Sequence, residues 1–380
     1  MKTNLDEFNE IISECRRFAK KEIQPEALEM DLQPKFEWLR SVWEKSRSLD
    51  LPLLLIPESC NGVGYPEKCA ALVLDMLAME CAGVASLFAG HFAACTTLNS
   101  LKKQEKALTA DILKIMDADP LPVFSVIFPF DPDDSSLGLE RINGKNILRG
   151  RSSLALNSMH ADYFLVLIQS SGDTDAGCCV CLPNDSPGVE IEENARLPGL
   201  KINPFAKIVF NDVVVDSDMI IASGGPGEKI LAAAQKAYFG FIAAMAMGAS
   251  RSAFLKAMSY AKGRYQYGKH IIHHEEIQRM LGCMQMKLDM GTAGYLQAFN
   301  DETVSLPALS SKGRLAKVYC TDAALEIVQD AIQIHGGYGY MHEYGLEKVM
   351  RDVKILQLMG GRNPALHIQV IAQHPVRFGQ

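Results

Sequence analysis

Two short clusters in the C-terminal third carry residue types suited to holding a phosphate-bearing ligand. In the first, Arg264 is followed by Tyr267, Gly268 and Lys269. A guanidinium offers a forked donor that matches phosphate oxygens, and a tyrosine ring can pack against a planar ligand. The same arginine would equally suit the end of a helix, binding its last carbonyls. In the second, Gln333 precedes the Gly336–Gly337 pair. Two glycines permit a backbone bend and a close approach, and they would also serve as a helix C-cap. Cys178, Cys179 and Cys181 could suggest a metal, but no second pair and no histidine accompanies them, so GCCVCL reads as a strand. His270, His273 and His274 lack an acid or cysteine set, and no metal is expected there. The run MLGCMQMKLDM (280–290) has helical spacing and reads as core or subunit interface.

The chain that must position these groups has 380 residues, 48% of them hydrophobic and 22% charged, with net charge −7 and a pI of about 5.8. This is the composition of an ordinary globular protein. The acidic balance argues against a nucleic-acid or anionic-membrane role, both of which want a basic face. The opening MKTNLDEFNEII lacks the apolar core of a signal peptide, and no apolar run is expected to reach the roughly 20 residues of a membrane span. The ten cysteines then read as free thiols in the cytoplasm.

Three periodicities divide the chain. Residues 1–118 read as an α-helical domain, with Phe8, Ile11, Ile12, Cys15, Phe18 and Ile23 at helical spacings and a kink near Pro25. The apolar stretch from Cys69 to Leu98 contains Gly83 and Gly90, which are expected to divide it into two packed helices. Residues 119–222 read as a β domain, with strands VFSVIF, KNILRG, DYFLVLI, CCVCL, VEIEE and AKIVFNDVVV separated by turn signals. Residues 223–380 read as long helices with short connections, an antiparallel four-helix bundle.

The segments SYAKGRYQYGKHI (259–271) and AIQIHGGYGYMHEYGLEKVMRDVKILQLMGG (331–361) resemble the acyl-CoA dehydrogenase patterns R-x-x-[FY]-G-K and Q-[IL]-x-G-G-x-G-[FY]-x-x-E-[YF]-x-[VL]-E-[KR]-x-x-R-D. FAKKEIQPEALEMD, LPLLLIPESCNGVGY, RINGKNILRGRSS and AKIVFNDVVVDSDMII fall where that family has equivalent segments, so the resemblance covers nearly the whole chain. It implies an α-helical domain, a β domain and a four-helix bundle. It also implies FAD as cofactor, an acyl thioester as substrate, and an electron-transfer flavoprotein as electron acceptor. By the resemblance, Arg264, Tyr267, Gln333, Gly336 and Gly337 reach the FAD of a neighbouring subunit. Glu275 stands where the family often has a second glutamine, and a carboxylate would repel a diphosphate. Glu343, Glu347, Arg351 and Asp352 match positions that are structural in the family.

The catalytic half departs from the pattern. In register, Gly360 stands at the family's usual catalytic glutamate, Gly361 at the following glycine and Arg362 at the threonine. The alternative base position falls near Tyr238, and a supporting arginine on Phe239. A neutral tyrosine, with a pKa of about 10, is a poor base for an α proton. In the β domain T-E-P-x-A-G-S-D becomes IFPFDPDD (127–134), placing Ile127 at the threonine, Phe128 at the glutamate, and Asp131, Asp133 and Asp134 where phosphates would approach. W-[IVF]-[TS]-N-[GA] becomes LRGRS, with Leu148 at the tryptophan and Gly150 at the hydroxyl residue. Contacts to the chain's own flavin are eroded, whereas those offered to a neighbour survive. The expectation is therefore a half-site or non-catalytic subunit, sharing FAD with a paired dehydrogenase-like subunit. The alternatives are a stand-alone flavoenzyme acting on a coenzyme A or acyl-carrier-protein thioester, paired with itself, and an FAD-free structural homologue.

Overall fold

A computed structural model describes residues 5–101, 121–129, 137–168, 177–192, 197–223, 225–300 and 312–372. The expected boundary at residues 118 and 119 lies outside them, as do Asp131, Asp133 and Asp134.

The first helix, α1 (Leu5–Phe18), runs through a π-turn (Ala19–Ile23) into a break at Pro25 and then α2 (Ala27–Leu32). Proline removes a donor and clashes with the preceding turn, which ends the helix there. Next come α3 (Phe36–Ser46), α4 (Glu67–Glu80) and α5 (Ala82–Leu101). The division between α4 and α5 falls at Cys81, whose backbone is extended (φ −158°, ψ 112°), and not at a glycine. Gly83 and Gly90 both lie inside α5 and serve packing. A Cβ at Gly90 would stand 2.4 Å from Asn157 Nδ2, the amide that donates to Leu87 O and Phe124 O.

The β domain is two packed sheets. One orders β1 (Phe124–Ile127), β4 (Tyr163–Ile168), β5 (Cys178–Pro183) and β8 (Ile220–Ser223), with β1 parallel to β4 and the other pairs antiparallel. The other orders β2 (Gly138–Ile142), β3 (Lys145–Arg151), β7 (Lys207–Val215) and β6 (Val189–Glu192), all antiparallel. Alternation along each strand sorts its side chains. Phe164, Val166, Val180 and Leu182 enter the core between the sheets, whereas Leu165, Leu167, Cys179 and Cys181 face the helical core. A strand apolar on both faces explains the cysteine run without a metal.

The C-terminal region contains α6 (Gly225–Gly263), α7 (Glu275–Ala298), α8 (Lys312–His335), α9 (Leu346–Leu358) and α10 (Asn363–Ala372). Contrary to expectation, α6 has one stretch, Ile230–Gly263, long and apolar enough by composition to cross a membrane; 72% of its apolar 18-residue window is buried against the rest of the fold. Helix α4 is locked to this bundle through Asp75, which is 1% exposed. It accepts both Arg251 nitrogens (3.3 and 3.1 Å) and the Tyr295 hydroxyl at 2.8 Å. The EKVMRD segment ties all three regions together. Arg351 bonds Asp31 of α2, Glu347 and Pro198 O, while Asp352 accepts Leu200 N–H at 2.7 Å and pairs with Lys348 at 2.6 Å. These are structural contacts, as the resemblance implied.

Candidate functional site

At the end of α6 the chain turns back through a two-stranded hairpin, β9 (Tyr265–Gln266) and β10 (Lys269–His270). Its two turn residues, Tyr267 and Gly268, have φ of 52° and 83°, the left-handed pair of a tight hairpin loop. Arg264 N–H donates to Tyr260 O at 2.9 Å and Ile271 N–H to Arg264 O at 2.8 Å, fixing the backbone on both sides of the arginine. Tyr267 is 92% exposed, an unusual setting for a large ring held in a strained turn.

Opposite this hairpin, α8 ends at His335, and Gly336 (φ 60°) turns the chain into a 3-10 turn, Gly336–Tyr340. Beyond the adjoining backbone, no atom of the described residues lies within 4 Å of where a Cβ on Gly336 or Gly337 would stand, so a side chain there would project into open space. Gly339 differs: its Cβ would meet Ile332 O at 2.6 Å. Between the two elements lies an open groove of about 640 Å³, lined among others by Arg264, Tyr267, Gln333, Gly336 and Gly337. All five residues singled out from sequence thus share one wall system, although 66 or more positions separate the two motifs. His335, 4% exposed, stacks on Tyr260 (4.3 Å between rings) and forms the floor, held neutral by burial and, secondarily, by repulsion from Lys256. His274, from the histidine run, also lines the groove and lies 3.2 Å from Gln266 O. Sequence gave no signal for it beyond its place before α7. Glu275 is exposed and is not among the residues that line the groove.

This half suits a diphosphate-bearing cofactor such as FAD. A guanidinium and a primary amide converge on a space kept clear by two glycines, with an exposed ring at its mouth. Among the described residues no carboxylate lies within ion-pair distance of Arg264.

The second half is different. Both expected base positions come together: a Cβ on Gly360 would stand 2.9 Å from Phe239 Cε1 and 3.3 Å from Tyr238 Cε1. Gly360 and Gly361 have φ of 67° and 97°, and their loop is clamped by Lys317, whose Nζ donates to Gln357 O (2.9 Å), Gly361 O (2.8 Å) and Asn363 Oδ1 (2.5 Å). Tyr238 and Phe239 are 4% and 2% exposed. Phe128 packs on Tyr238 with 4.8 Å between rings, and Phe239 clusters with Val318 and Leu366. Burial pushes the Tyr238 hydroxyl above its ordinary range, away from any role as a base. Ile127 and Leu148 lie inside the inter-sheet core. Arg362 is exposed and lines a separate groove with Lys354 and His367. Where the sequence led us to look for a proton acceptor, aromatic rings and a glycine loop pack together.

Family comparisons match residues 6–107 to the acyl-CoA dehydrogenase N-terminal domain and 240–374 to the acyl-CoA dehydrogenase C-terminal domain. An acyl-CoA dehydrogenase of Bacillus subtilis is 26% identical over 353 residues, covering 92% of each chain. The butyryl-CoA dehydrogenase of Megasphaera elsdenii has the same fold, with a TM-score of 0.84 at 21% identity, over 98% of this chain and 99% of that one. So does a glutaryl-CoA dehydrogenase of Mycobacterium smegmatis solved with FADH2, with a TM-score of 0.82 at 17% identity, over 97% and 94% of the two chains.

Proposed function

This chain belongs to the acyl-CoA dehydrogenase family, and from that premise we propose that it is the half-site subunit of a heteromeric FAD-dependent acyl thioester dehydrogenase. The observation that carries this reading is the contrast between the two halves. The groove at Arg264, Gln333 and Gly336–Gly337 is open and built from donors, whereas Gly360, a residue that cannot accept a proton, packs against the buried Tyr238 and Phe239 rings.

In this reading Arg264 binds diphosphate oxygens through its fork, Gln333 donates its amide to the same group, and Gly336 and Gly337 let the backbone approach it. Tyr267, held out by its left-handed turn, covers the cofactor and is buried when the partner docks. Bound FAD supplies the hydride acceptor for oxidation of an acyl thioester. The carboxylate that removes the α proton belongs to the partner chain, because a glycine cannot accept a proton and Tyr238 is held protonated. Electrons would leave through an electron-transfer flavoprotein. The ten free cysteines, most of them buried, suit a cytoplasmic setting.

The test is co-expression with a dehydrogenase-like partner that retains the glutamate, comparing wild type with Gly337→Leu and Arg264→Gln. The leucine would enter the groove without meeting a neighbouring atom at its Cβ. The complex should assemble in all three cases and lose its flavin absorbance in both variants. Full flavin retention by both would refute the assignment.

A further inference from the structure

A second cavity, of about 520 Å³, lies behind the groove, where α2 and the end of α4 meet the middle of α6 and the start of α9. Tyr260 and His335 belong to the walls of both, so the stacked ring pair is the partition between them. Nothing in the FAD reading uses this space.

Its walls have a definite chemistry. Ser252, Lys256 and Ser259 follow one another at helical spacing along α6 and line it together. Lys256 Nζ makes one hydrogen bond, to Tyr344 O at 2.9 Å, and among the described residues no carboxylate lies within 4 Å of it. The second ammonium of the cavity, Lys348, is neutralised by Asp352 at 2.6 Å. Lys256 is thus the cation left for a ligand. Gly345 (φ 67°) keeps it approachable, because a Cβ there would stand 3.0 Å from Nζ. Burial and the neighbouring Lys348 push the Lys256 ammonium below its ordinary range, opposed by the Glu80 carboxyl across the cavity. Burial pushes the Glu80 carboxyl itself up from its ordinary range, with Lys20, Lys256 and Arg16 opposing. Ala27, Leu28, Ala78 and Ala249 supply an apolar portion of the wall.

We propose that this cavity binds a small monocarboxylate, ion-paired to Lys256, hydrogen-bonded by Ser252 and Ser259, with its carbon tail against Leu28, Ala78 and Ala249. One cation with no described carboxylate inside ion-pair distance fits a monoanion. A dianion would meet Glu80 and Glu343 on the same walls with no second free positive charge to offset them.

The experiment is isothermal titration of the purified full chain with butyrate, with butyramide as its uncharged counterpart and with butyl phosphate as a dianion. Wild type and Arg264→Met should bind butyrate saturably at one site, which separates this cavity from the groove and leaves the result independent of the FAD reading. Butyramide and butyl phosphate should bind wild type at least about tenfold more weakly, and Lys256→Met and Lys256→Gln should weaken butyrate to the same degree. Both variants should keep the circular dichroism and, within a few degrees, the melting temperature of wild type, since each removes one hydrogen bond from a half-buried side chain. Absence of saturable butyrate binding in wild type would overturn the proposal. So would undiminished binding by the Lys256 variants, tighter binding of butyl phosphate, or loss of folding in both variants, which would make Lys256 a structural ion.

Discussion

Substituting Gly360 by alanine probes whether the position of the family's catalytic glutamate is closed. Gly360 has φ 67°, a conformation that costs a non-glycine residue roughly 1–2 kcal/mol. The new Cβ would stand 2.9 Å from Phe239 Cε1 and 3.3 Å from Tyr238 Cε1, and both rings are almost fully buried. The loop cannot easily retreat, because Lys317 holds Gly361 O at 2.8 Å and Asn363 Oδ1 at 2.5 Å. Overpacking of this kind costs about 1–3 kcal/mol. Gly360→Ala should therefore destabilise the protein by about 2–5 kcal/mol. Phe239→Ala alone should cost about 3–5 kcal/mol, but in that background Gly360→Ala should cost only its backbone share. The cycle should show a coupling of about 1–3 kcal/mol between the two sites, read from urea unfolding of all four proteins. A Gly360→Ala penalty below about 0.5 kcal/mol, or one equal in both backgrounds, would refute the claim that the aromatic packing closes this position.

Other consequences follow from the same contacts. Arg264→Met should weaken FAD retention in the partnered complex by about ten- to a hundredfold, measured by flavin fluorescence, as expected for loss of a charge-assisted hydrogen bond. His91 is 0% exposed, bonds Pro52 O at 2.9 Å, and is held by burial to about 4 from an ordinary 6.5. The unfolded chain takes up this proton first, so stability is full above pH 6.5 and is lost as pH falls towards 4, by up to about 3 kcal/mol. Replacing His91 by glutamine should remove that part of the pH dependence in thermal melts. Glu347, lowered to about 2 mainly by its hydrogen bond with Arg351, adds a further loss in the same direction between pH 4.5 and 2. Arg351→Met leaves Asp31, 1% exposed, without its closest partner and should cost about 3–5 kcal/mol in urea unfolding, more than Arg351→Lys.

How far these features were legible in the sequence depended on whether the signal was local. The six expected strands formed because period-two alternation and turn residues lie within each short segment. Strands β2 and β8 went unread: β2 has an exposed, charged centre at Glu140 and Arg141, and β8 is only four residues long. The glycines of α5 misled because glycine in an apolar run can mean a break or a close approach. Only Asn157, 67 positions further on from Gly90, decides which. The groove residues were legible because each motif is contiguous. That Gly360 meets Tyr238 and Phe239, with Phe128 packed against Tyr238, is a tertiary fact joining three distant segments. The cavity at Lys256 left no trace in the sequence, since its walls come from the N-terminal helices, α6 and α9, and a lysine on a helix reads as solvated.

The central claim is tested most directly by the visible absorbance spectrum and chain stoichiometry of this protein, purified alone and again with its dehydrogenase-like partner. The half-site account predicts no flavin in the lone chain and one FAD per pair of chains in the complex. One FAD per chain in the lone protein, with oxidation of an acyl thioester, would contradict it.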